Sequence, residues 1–157
     1  MPEPRCRIVS LDATPHYHVV SRCVRRQFLC GVDQQTGKDF SHRRDWIRNR
    51  IFELAEIFAV DICAYAVMSN HYHLVLTIRQ EVALEWDERE VAKRWLKLFG
   101  GKPIIKNWLG GQRQTEAQQQ EVQDLIRTYR ERLFDLSWFM RCLNEPIARM
   151  ANEEDNV

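Results

Sequence analysis

Residues 60–79 read VDICAYAVMSNHYHLVLTIR. Two apolar runs, 60–68 and 71–79, flank the dipeptide Ser69-Asn70. A short polar pair between two such runs predicts a β-hairpin. The first run is almost continuously apolar, which predicts a strand covered on both faces or nearly so. The second alternates, which predicts one buried and one open face. Side chains two apart on a strand share a face, so His71 and His73 stand side by side while Tyr72 points the other way, toward a core.

Upstream of the hairpin, HYHVVSRCV (16–24) is valine-rich and predicts a strand. GVDQQTGKDFS (31–41) predicts a loop. Trp46, Ile47, Ile51, Leu54, Ala55 and Phe58 recur at helical spacing and predict a helix over 42–58, capped by Ser41 or Asp39. Strand, helix, strand, strand is the first half of a βαββαβ sheet. The expected fold class is therefore α+β, a ferredoxin-like (RRM-like) antiparallel sheet with helices on one face.

Downstream, a helix is expected over 87–99 after Asp87, a loop over the glycine-bearing stretch 101–112, and helices over 116–133 and 136–153. Residues 81–135 read as a helical insertion within one domain, 1–157. Pro146 falls inside the last pattern at a cost of about 3 kcal/mol, which a helix restart near Asn144 would reduce. Nothing strand-like follows residue 136, so the C-terminal strand and the helix after it are expected to be missing. In a βαββαβ sheet that strand pairs with the first, which leaves 16–24 as a bare edge. Such an edge invites self-association, so a second copy, forming a homodimer, is an expected partner.

With 23 Lys and Arg against 22 Asp and Glu, the net charge of +1 does not announce a nucleic-acid binder, and any basic face must be local. No stretch approaches the about 20 apolar residues of a membrane span, and no leader-like apolar run opens the sequence. The five cysteines include no C-x-x-C pair, so free thiols in a reducing cytoplasm are expected, most of them as small buried apolar groups.

The histidine pair carries the chemistry. Two imidazoles about 7 Å apart along a strand can share one divalent metal if another element supplies a third ligand. Such a metal acts as a Lewis acid on a phosphoryl oxygen. Two exposed histidines on one strand can equally stand without a metal. His16 and His18 form a second H-x-H on the first strand, neighbour to the third in this fold, so four histidines could converge on a structural zinc ion.

YAVMSNHYHLVL (65–76) resembles the signature of HUH single-tyrosine transposases, U being a hydrophobic residue, and in particular the REP-associated tyrosine transposase group. Met68, Asn70, His71, Tyr72 and His73 match that group's hairpin, and Ser69 replaces its usual proline. HYHVVSRCVRRQFLC (16–30) resembles the group's opening strand and arginine-containing turn, and SWFMRCLNEPIARMAN (137–152) its helix after the hairpin. The resemblance implies binding of single-stranded or hairpin DNA, a divalent metal (Mg or Mn) held by His71 and His73, and cleavage and rejoining through a phosphotyrosine. His18 matches the family strand without being a ligand there.

The family's tyrosine lies on a helix beyond the fourth strand, near an asparagine-proline pair, and no such segment is present here. Tyr17, Tyr65 and Tyr72 fall on strands. Tyr129, the one helical tyrosine, is the fallback nucleophile, but its spacing from Leu125, Ile126 and Leu133 suits an apolar face. A non-catalytic DNA-binding module derived from the enzyme, and a metal protein without a DNA role, are the competing readings.

For DNA phosphates the best candidates are Arg22, Arg25 and Arg26, at a strand end beside the histidines, near Arg5 and Arg7. Arg43, Arg44, Arg48 and Arg50 on the first helix read as a solvated face. Trp86, Trp95, Trp108 and Trp138 can stack on bases, although packing between helices is their commoner use.

Overall fold

An antiparallel sheet carries four of the five histidines. The structure, a computed structural model, describes residues 9–22 and 30–156. The sheet is built from β1 (His16–Arg22), β2 (Val60–Val67) and β3 (His71–Ile78) in the order β1-β3-β2. Six helices are present among the described residues: α1 (His42–Ile57), α2 (Gln80–Glu85), α3 (Glu88–Leu98), α4 (Pro103–Leu109), α5 (Glu116–Arg132) and α6 (Leu136–Glu154). The fold is α+β, and the strand order is compatible with a ferredoxin-like arrangement.

The period-two pattern of β3 decides which way the sheet faces. Tyr72, Leu74, Leu76 and Ile78 are buried, and the residues between them are not. Val19 of β1 joins the buried side. Against that side pack Ile47, Ile51 and Leu54 of α1 and Phe139, Met140 and Leu143 of α6, all in one apolar core. The same core runs on into α3, α4 and α5 through Val91, Trp95, Ile105, Val122 and Ile126. Among the described residues β1 pairs only with β3, so its other edge carries no strand.

β2 is not covered on both faces, contrary to its apolar composition. Ala64, Tyr65 and Ala66 are exposed, and the register slips between Ile62 and Ala64. Cys63 is the extra residue at that slip and is exposed. Small side chains lose little by facing water, so Ala64 and Ala66 do not require a second covering layer, and Tyr65 is partly covered by Phe52.

Four further expectations are corrected. Residues 103–109 form α4 and not a loop. Pro103 occupies the first turn, where its missing N–H costs nothing, and Gly101 and Gly110 bracket the helix instead of dissolving it. Gly101 has φ +69°, and a Cβ there would meet Leu96 Cδ2 at 1.9 Å. Ser41 makes no side-chain cap; its hydroxyl donates to Asp39 Oδ1 at 2.6 Å.

α6 does not restart at Asn144 but runs unbroken through Pro146. Proline lacks the N–H that would bond the carbonyl of Cys142, and Arg50 Nε donates to that oxygen instead, at 3.1 Å. The first-helix arginines are not a uniformly solvated face either. Arg43 is 1 % exposed, its guanidinium bonded to Glu154 at 2.8 Å and Asp155 at 2.7 Å, and Arg50 is spent on Cys142 and Glu53. No helix among the described residues is long and apolar enough to cross a membrane.

Candidate functional site

The open face of the sheet brings together residues that lie far apart in sequence. Alternation along β3 puts His71, His73, Val75 and Thr77 on it. Alternation along β1 adds His16, His18, Val20 and Arg22. The antiparallel register sets Val20 opposite His73 and Arg22 opposite His71. Arg22 is exposed and shares this face with His71, its partner in the register. Arg25 and Arg26, the other two proposed DNA contacts, lie outside the described residues.

His18 Nε2 lies 2.9 Å from His73 Nδ1, a direct imidazole–imidazole hydrogen bond in which one ring donates and the other accepts. Their rings stack at 5.1 Å between centroids, and the His71 ring meets His73 edge-on at 5.0 Å. His71 Nδ1 is bonded to Asn70 Oδ1 at 2.7 Å. His16 turns away from the group and bonds Thr77 Oγ1 at 2.8 Å. Three histidines therefore converge and not four. The convergence suggested by the second H-x-H on β1 is met by His18 and not by His16, although the family resemblance gave His18 no ligand role.

Tyr72 orients the pair from behind. Its side chain enters the core between the two outward imidazoles, and its hydroxyl donates to Asn144 Oδ1 of α6. Ser21 of β1 donates to the same oxygen at 3.3 Å. Two neighbouring strands are thus tied to one helix residue at the level of the histidines. Asn144 serves as this tether rather than as a helix cap.

Imidazole suits a divalent ion as ligand, and the pair stands half-buried on a shared face, so donor type and placement fit one. The hydrogen bonds engage Nδ1 of each ring, His73 with His18 and His71 with Asn70, and leave Nε2 of both as the nitrogen that would face an ion. Among the described residues no group of three or more His, Cys, Asp or Glu side chains is already set to hold a metal.

None of the four tyrosines projects from the histidine face. Tyr17 alternates with His16 and His18, and its hydroxyl donates to the Thr14 carbonyl at 2.7 Å. Tyr65 lies opposite Leu74 and packs edge-on against Phe52 of α1. Tyr72 is in the core. Tyr129 stacks on Trp95 at 5.0 Å in the helical layer, and burial raises its hydroxyl pKa, the reverse of what an activated nucleophile needs. Cys30 and Cys142 are buried and Cys63 exposed, all three as free thiols.

Comparison of the chain with protein-family models, with curated proteins and with solved structures finds no match in any of the three.

Proposed function

We propose that this chain is a domain of the HUH single-tyrosine transposase type, in the REP-associated group, that binds single-stranded or hairpin DNA across the open face of a ferredoxin-like sheet. The observation that carries the reading is the placement of His71 and His73 side by side on the sheet face opposite the core, with Arg22 in register beside His71. An open antiparallel face edged by a cation offers a strand a path, and the phosphate beside Arg22 then passes over the histidines. His71 and His73 would hold a divalent ion, Mg or Mn. When bound, that ion supplies polarisation of a phosphoryl oxygen. His18 steadies the His73 ring through its hydrogen bond, and Tyr72 fixes both imidazoles outward through Asn144.

Cleavage and rejoining through a phosphotyrosine is the chemistry of the family the sequence resembles. The positions of Tyr17, Tyr65, Tyr72 and Tyr129, all away from the histidines, favour a second reading for this chain by itself: it binds DNA and does not cut it. An oligonucleotide assay tests both. Fluorescence anisotropy with a labelled single strand and a labelled hairpin should show binding that weakens as salt rises. A suicide oligonucleotide with Mn²⁺ should give no covalent adduct. Absence of binding at low salt would remove the DNA reading, and an adduct would remove the non-catalytic one.

A further inference from the structure

The helices filling 80–132 have no part in the histidine site, yet they build a cavity with α6 whose lining is chemically one-sided. It measures about 380 Å³. Its walls are aromatic: Trp95, Tyr129, Trp138 and Phe99, the last 40 % exposed and the most accessible of the four. Its charged lining residues are Lys102, Arg132 and Arg141, all cations, in a chain whose net charge is only +1.

The cations are differently engaged. Arg132 lies 4.2 Å over the Trp138 ring and 5.3 Å from that of Trp95, and its N–H groups have no hydrogen-bond or ion-pair partner among the described residues. Arg141 lies 4.9 Å from the Trp138 ring and bonds Glu145 at 2.8 Å, with both side chains about half exposed. Lys102 is exposed, presented by the turn at Gly101. A guanidinium presents its N–H groups in a planar fork, the geometry that phosphate oxygens match, and contact with an indole ring uses none of them as hydrogen-bond donors.

We propose that this cavity is a nucleotide-binding subsite: an aromatic base is taken against the exposed ring of Phe99, and its phosphate is held by Arg132, Arg141 and Lys102. Apolar aromatic walls without cations would suit any flat ligand, and cations without rings any anion. Their combination selects a flat ring that carries a phosphate. Free nucleotides and nucleotides within a single strand share that chemistry. The site stands on the buried-face side of the sheet, away from the histidines, and does not depend on their role.

Isothermal titration and tryptophan fluorescence of the whole chain test it, with thymidine monophosphate, inorganic phosphate and oligothymidylate as probes. Thymidine monophosphate should bind, quench fluorescence and outcompete inorganic phosphate. The triple variant Lys102→Gln, Arg132→Gln, Arg141→Gln should bind it about tenfold more weakly or worse, and Phe99→Ala, at an exposed position, about tenfold more weakly. Phe99→Ala keeps the test valid if the triple variant does not fold. His71→Ala, His73→Ala should leave this binding unchanged, which separates it from the histidine site. Oligothymidylate binding by His71→Ala, His73→Ala, Arg22→Ala that exceeds thymidine monophosphate binding and is lost on adding Phe99→Ala identifies a strand as the ligand of the cavity, and equal binding a free nucleotide. Inorganic phosphate bound as well as the nucleotide, or variants that bind like the wild type, would overturn the proposal.

Discussion

Arg50 Nε and the carbonyl oxygen of Cys142 lie 3.1 Å apart, joining α1 to the one turn of α6 that proline deprives of its own donor. The contact explains how a helix runs through Pro146 without a break. The expected interruption is avoided because a donor from a neighbouring helix stands where the missing N–H would be.

Arg50→Ala should therefore destabilise the protein by about 1–3 kcal/mol, the cost of leaving a buried carbonyl unpaired. Pro146→Ala restores the backbone donor. In the double variant the loss of Arg50 should matter less than it does alone, which urea unfolding of all four proteins would read as a coupling. Strictly additive effects would refute the substitution of one donor for the other.

Arg43 holds Glu154 and Asp155 at the end of α6. Arg43→Ala should lower stability by about 1.5–3 kcal/mol, the scale of one hydrogen bond to a charged group, because the carboxylates remain partly solvated. Burial acts to raise the Glu154 pKa, but its bond and charge pairing with Arg43, helped by His42, outweigh this and hold it below the ordinary glutamate value. A depressed folded-state pKa means the contribution is present above the unfolded value of about 4.3 and lost as pH falls through the folded one. Melting temperature should thus fall on acidification below that range, and less steeply in Glu154→Gln.

At the histidines, titration with Mn²⁺ should show weak binding by the wild type and none by His71→Ala, His73→Ala. His18→Ala is expected to change the affinity, since His73 Nδ1 is then released from its bond to His18. Equal binding by wild type and double variant would end the metal assignment.

For DNA, Arg22→Ala should weaken single-strand binding and reduce the salt slope by about 0.7, the value for one phosphate contact on a single strand. Replacing Arg25 and Arg26 as well should extend the effect. An unchanged slope would move the strand's path off the β1 end of the sheet.

The edge of β1 that carries no strand among the described residues predicts concentration-dependent dimer formation in sedimentation velocity. Val20, 44 % exposed on this strand, is the place to test it. Val20→Lys should shift the protein toward monomer, since an edge lysine resists strand addition. A wild type that stays monomeric at high concentration would remove the homodimer expectation.

Local periodicity alone determined the hairpin at Ser69-Asn70, the helical faces of α1, α5 and α6, and the shared side of His71 and His73. Each depends only on residues within a few positions of one another, and a period of two or 3.6 is written directly in the order of side chains. Tertiary structure decided the rest. Composition could not place His18 on the His73 ring, because that contact depends on the register of β1 against β3. Nor could it show that Arg43 is buried, for its partners lie more than a hundred residues away. Pro146 and the glycines around 103–109 read locally as breaks. They are not, because a guanidinium from another helix satisfies the first and burial of Ile105 in the common core secures the second.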